Sequence, residues 1–248
     1  MRLRRANGNE AGEGPGVPRR RAMASRFGLR LAASLGMLAA GLPAPSAAFA
    51  AGSAPIAAAM VHADFSGARV SGDARRVADW VVRSGDNRDR PYMIVDKADA
   101  RMFLFAASGA FLGQAPVLLG LARGDDSPAG IGDRPLALIS PAERITPAGR
   151  FEAAMGRNLA GQDILWVDYA AAISVHRATD VKPGLATANR LTRLASATAS
   201  DNRISHGCIN VSTAVFEGMI RPAFSGTNGV VYVLPETRSI EAEFPAAA

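Results

Sequence analysis

The sequence predicts a mostly β domain, a sandwich or barrel with a few short helices. Three observations point there: short apolar runs broken by turn residues, 25 glycines and 15 prolines to make those turns, and 48% hydrophobic residues, enough for a sizeable core. At 248 residues the chain has room for one ordinary domain plus extra segments.

The elements follow in order. Residues 1–50 carry eight arginines and two glutamates, which accounts for the whole chain's net charge of +6 and leaves residues 51–248 neutral. The pI of about 10.4 therefore belongs to the N-terminus. The electrostatic footprint of a nucleic-acid-binding domain is missing, so no nucleic acid is expected as a partner. Within that segment a basic flank (Arg19–Arg21, Arg26, Arg30) precedes the apolar run LAASLGMLAAGL (31–42) and a small-x-small site at Ala48–Ala50. This is the plan of a secretory signal peptide over 1–50, with Met23 as an alternative start. The run is short for a bilayer span, so no transmembrane segment is expected in the mature protein. Export implies the periplasm or cell envelope.

Residues 51–90 read as a flexible, alanine-rich stretch followed by one helix, DARRVADWVVRSGD (73–86), with Val77, Trp80 and Val81 at helical spacing. The main domain runs from 91 to 236. PYMIVDK (91–97), ARMFLFAA (100–107) and APVLLGLA (115–122) read as a β-meander with a glycine-centred turn over 108–114. A polar loop follows over 123–135. RFEAAMG (150–156), DILWVDYAAAISVHR (163–177) and GVVYVLP (229–235) add strands, and STAVFEGMI (212–220) has a helical pattern. Residues 237–248 read as a tail.

RISHGCINV (203–211) holds the one cysteine, Cys208, and one of three histidines, His206. An exported protein with one cysteine cannot close an internal disulfide, so the thiol is either buried filler or reactive. A reactive thiol needs a lowered pKa or an adjacent base. Gly207 would allow close backbone approach, and the N-terminus of the following helix would aim its amides at the sulfur. His176 ends an apolar strand, a natural place for a general base. Two histidines and a cysteine could also hold a metal, but no fourth ligand stands at a familiar spacing. His62 lies outside this grouping.

The order His176, loop, SHGCIN (205–210) resembles the L,D-transpeptidase catalytic domain of the YkuD type. ITPAGRF (145–151) is similar to that family's TPxGxF strand, and the likeness covers about residues 91–236. The resemblance implies an L,D-transpeptidase-like β-sandwich or barrel acting on peptidoglycan stem peptides without metal or organic cofactor. Cys208 would attack the stem carbonyl and release D-Ala. His176 would act as base, oriented by the Arg177 carbonyl. Amides of Gly207 and Cys208 would hold the oxyanion, and His206, Ser205 and Asn210 would shape the pocket. An amine acceptor gives a 3→3 cross-link or attachment to another amine, and water makes the enzyme an L,D-carboxypeptidase. Carbapenem-type β-lactams are implied as inhibitors.

The chain departs from that pattern in the 28 residues between His176 and Ser205, in Arg177 where Gly or Ser is more usual, and in lacking a separate wall-binding repeat. A non-catalytic wall-binding domain is the alternative from another class, although such a domain has no need of a thiol. A papain-like peptidase would place its Cys before the base His. A sortase would want an Arg after the Cys, for which Arg221 is the nearest candidate.

Overall fold

A computed structural model describes residues 61–180 and 189–247. The expected signal peptide lies outside them. No helix among them is long and apolar enough to cross a membrane.

Ten strands form the domain: β1 (Tyr92–Asp96), β2 (Arg101–Phe105), β3 (Phe111–Pro116), β4 (Leu119–Gly120), β5 (Gly149–Arg157), β6 (Asp163–Asp168), β7 (Ile173–Arg177), β8 (Arg203–Ser205), β9 (Ile209–Val211) and β10 (Gly229–Val233). Eight make one sheet in the order β3-β2-β1-β10-β5-β6-β7-β9, and β4 pairs with β8. Just past β3, Leu118 exchanges two backbone hydrogen bonds with Asn210 of β9, at 2.8 and 2.9 Å. The two ends of the eight-stranded sheet therefore meet, and the sheet nearly closes into a barrel.

Alternation along the strands separates two cores. Met93, Val95, Met102, Leu104, Leu165, Val175, Ile209 and Val231 point into the barrel. Their neighbours Tyr92, Ile94, Phe103, Phe105, Val230 and Tyr232 point outward against α1 (Gly72–Ser84). Burial on both faces explains why β1 and β2 read as continuous apolar runs instead of an alternating pattern. Helix α1 starts at Ser71, whose side chain accepts from the Ala74 amide, and ends at Gly85 in the left-handed region. Residues 237–247 join the outer core: α5 (Ile240–Glu243) buries Ile240, and Phe244 and Ala247 follow it.

The expected turn over 108–114 is displaced. Ala106 and Ala110 close it, with the Ala106 amide bonded to the Ala110 carbonyl at 2.8 Å, and β3 already begins at Phe111. The expected strand 115–122 is split between β3 and β4, because the chain leaves β2 after Pro116 to reach β9. The helix after the cysteine extends past its expected end. It runs through α3 (Thr213–Val215), a π-helical turn (Phe216–Ile220) and α4 (Arg221–Phe224).

Candidate active site

Strands β7 and β9 build the site. They pair in parallel, with His176 opposite Asn210 and Val175 opposite Ile209. Ile173, Val175, Ile209 and Val211 face the barrel core. By the two-residue period of strands, Ser174, His176, Cys208 and Asn210 share the other face. The register thus sets four polar side chains in one patch: Ser174 beside Cys208, His176 beside Asn210.

Cys208 is partly exposed. Its sulfur lies 3.7 Å from the Ser174 hydroxyl and 3.6 Å from the Ala172 carbonyl oxygen. Burial pushes the thiol up, but the neighbouring His176 and the amide and hydroxyl of Ser174 outweigh it and hold the thiol below its ordinary value. His176 donates from Nδ1 to the Arg177 carbonyl at 3.0 Å, and its Nε2 accepts from Asn210 Nδ2 at 2.9 Å. The Arg177 side chain is fastened elsewhere. It bonds Glu217 and the Asp163 carbonyl and lies 4.2 Å from the Phe216 ring centroid, so an arginine at this position leaves its own carbonyl facing His176.

The turn between β8 and β9 is knitted internally. Ser205 donates to the Cys208 carbonyl at 2.6 Å and accepts from the Gly207 amide at 3.0 Å. Two expectations change here. The Gly207 amide, expected to hold an oxyanion, is taken by the Ser205 hydroxyl. Ser205 and Asn210, expected to shape the pocket, are buried; the first holds the turn and the second holds His176. The helix amides expected beside Cys208 are not there. Strand β9 intervenes before α3, and Ser212 caps that helix by accepting from the Val215 amide.

Gly207 has φ +129°, and a Cβ there would lie 2.7 Å from the Ile145 carbonyl oxygen. Only glycine lets the turn lie against the Ile145 backbone. His206 and Cys208 line a cleft whose wall is otherwise largely apolar, including Ile131, Leu136, Ile139 and Ile173. Burial first, then the nearby Arg144 and Arg190 charges, push the His206 imidazole below its ordinary pKa, which favours its neutral form.

Sequence reading missed four supporting residues. Ser174 was legible as the position two before His176 on the same strand face. Thr146, from the TPAG stretch, is fully buried; its hydroxyl accepts from the Gly120 amide and donates to the Gly207 carbonyl, both at 2.8 Å. Lys97 is buried and donates to the Thr146 and Gly124 carbonyls and to Asp125. Arg190 comes from α2 (Arg190–Leu194), in the long segment after β7; part of that segment, 181–188, lies outside the described residues. Leu194 packs with Leu118, Ala178 and Ile204, which seats α2 beside the site.

Among the described residues no group of three or more His, Cys, Asp or Glu side chains could hold a metal ion. The Arg221 guanidinium is engaged by Asp163 and Glu217.

No family profile and no curated protein matches the chain. The solved structures it matches include L,D-transpeptidases and a cell-shape protein. The catalytic domain of the Enterococcus faecium L,D-transpeptidase is 17% identical, with a TM-score of 0.32, over 59% of this chain and 98% of that one. Mycobacterium tuberculosis L,D-transpeptidase 1 is also 17% identical, with a TM-score of 0.32, over 58% and 61%. The helical cell shape determining protein Pgp2 from Campylobacter jejuni is 14% identical, with a TM-score of 0.38, over 72% and 62%. This chain spans 50% of a longer Enterococcus faecium L,D-transpeptidase structure.

Proposed function

We propose that the chain is an exported cysteine acyltransferase acting on peptidoglycan stem peptides, an L,D-transpeptidase. One observation carries the reading. A partly exposed thiol, held below its ordinary pKa, shares a sheet face with a histidine whose Nδ1 proton is committed to a carbonyl, which makes Nε2, now accepting from Asn210, the basic position.

In this reading the Cys208 sulfur attacks the carbonyl of the residue preceding D-Ala. His176 Nε2 takes the thiol proton and returns it to the departing D-Ala amine, leaving a thioester on Cys208. An amine of a second stem attacks the thioester and restores the thiol; water in its place releases a shortened stem. The apolar cleft beside His206 would hold the donor and keep water from the thioester. The basic flank and apolar run of residues 19–42 support export to the periplasm.

The test is intact-protein mass spectrometry of the full chain after incubation with a carbapenem. A single adduct, absent from Cys208→Ala of unchanged fold, supports the reading, and tetrapeptide stems then separate amine from water as acceptor. A folded protein whose thiol is alkylated by iodoacetamide but never acylated would overturn it and favour a wall-binding domain.

A further inference from the structure

Arg190 stands at the far end of a directed chain of hydrogen bonds. Its Nη1 donates to Asn210 Oδ1 at 3.0 Å, Asn210 Nδ2 donates to His176 Nε2 at 2.9 Å, and His176 Nδ1 donates to the Arg177 carbonyl at 3.0 Å. The direction has one solution. A guanidinium has donors and no acceptor, so the Asn210 oxygen must face it. The Asn210 amide hydrogens then face His176, and Nε2 can only accept. We infer that Arg190, supplied by the segment between β7 and the Ser-His-Gly-Cys turn, is a positioning residue that locks the Asn210 amide and through it holds the His176 lone pair on Nε2.

The lock acts against one species. The Arg177 carbonyl already selects the Nδ1–H tautomer. An imidazolium would carry a second N–H, on Nε2, pointing at the Asn210 NH2 group, two donors face to face. Without Arg190 the Asn210 amide can turn over and accept that proton, so the imidazolium gains a partner. Asn210 is fully buried, so no water substitutes for either arrangement. Arg190 is itself half-buried, and its Nε has no acceptor among the described residues. The charged and titratable groups around the pair are Cys208 in the turn before β9, Arg177 with its partner Glu217, His206 with Arg144 beyond it, and Asp180 near Arg190. Removing the Arg190 charge acts in the same direction as freeing the amide. In the proposed reaction the lock has a purpose: once His176 has taken the thiol proton, nothing in its resting network holds that proton back from the leaving amine.

The inference rests on the acyltransferase reading only for that last consequence. The test uses the 15N-labelled full chain, with the His176 imidazole nitrogens assigned by comparison with His176→Gln. In the wild type the neutral imidazole should carry its proton on Nδ1, with Nε2 unprotonated. Arg190→Met, which keeps the aliphatic stem but no donor, should show an imidazolium persisting to higher pH. Arg190→Lys, which can only donate, should restore the wild-type titration. Carbapenem acylation by Arg190→Met should fall by about tenfold or more, part of the 10²–10⁴ that a positioned base contributes, with its acid limb shifted to higher pH. An unchanged His176 titration in a folded Arg190→Met, or in Arg190→Gln should the first not fold, overturns the inference. A wild type that is never acylated sinks the acyltransferase reading and leaves the imidazole measurement to judge Arg190 by itself.

Discussion

Replacing Thr146 by Val isolates what holds the cysteine turn in place. Valine has nearly the shape of threonine, so packing is preserved and only the hydroxyl is lost. That hydroxyl serves two buried backbone groups, the Gly120 amide and the Gly207 carbonyl, each at 2.8 Å. Thr146 is fully buried, so water cannot replace it. Each orphaned group costs about 1–3 kcal/mol, which places Thr146→Val at roughly 3 kcal/mol for the pair. In a domain of this size that is a fall in Tm of about 6–12 °C. Urea unfolding followed by the fluorescence of the two tryptophans, Trp80 and Trp166, measures it. Carbapenem acylation should drop in parallel, because Gly207 adjoins Cys208 and loses its tether. Thr146→Ser, which keeps the hydroxyl, should recover most of both. A Thr146→Val protein within about 0.5 kcal/mol of wild type and acylated at the wild-type rate would refute the tethering argument.

His176→Ala should slow acylation by about 10²–10⁴, whereas His62→Ala, which removes a ring bonded to Asp79 of α1, should leave it unchanged; equal effects would remove His176 from the base role. Gly207→Ala places a Cβ 2.7 Å from the Ile145 carbonyl oxygen at a φ that other residues rarely adopt, so acylation should be lost along with about 1–3 kcal/mol of stability; calorimetry showing an unchanged Tm would contradict the fit. Asp125 is pushed up by burial, but Lys97, Thr237 and the amides of Glu236 and Thr237 overcome this and hold it well below the usual carboxylate range. A depressed folded pKa gives stability that is complete above the unfolded value, about 3.9, and is lost as the pH falls below it. Asp125→Asn should therefore lower stability at neutral pH and flatten the acid limb of the pH–stability curve, and an unaltered slope would rule that contribution out.

The local chemistry was legible in the sequence because it is contiguous or nearly so. SHGC is a turn whose residue types restrict what it can do, and the alternation that ends at His176 marks a strand face. The apolar runs of β1, β2 and β10 announced buried strands. Short-range signals could not reveal β8 and β9, three residues each, because their pairing partners lie far away in the chain. Nor could they show that β9 separates Cys208 from the helix expected to activate it, or that the Gly207 amide is spent on Ser205. The longest reach belongs to register. Pairing β7 with β9 decides that His176 meets Asn210 and not the opposite face, and a slip of one residue in either strand would turn that strand's side chain into the barrel core. The sequence by itself determined which groups could do the chemistry. Tertiary structure decided which of them meet, because hydrogen bonds of about 3 Å between residues 20 to 61 positions apart are set by strand pairing and loop closure, quantities no local pattern encodes.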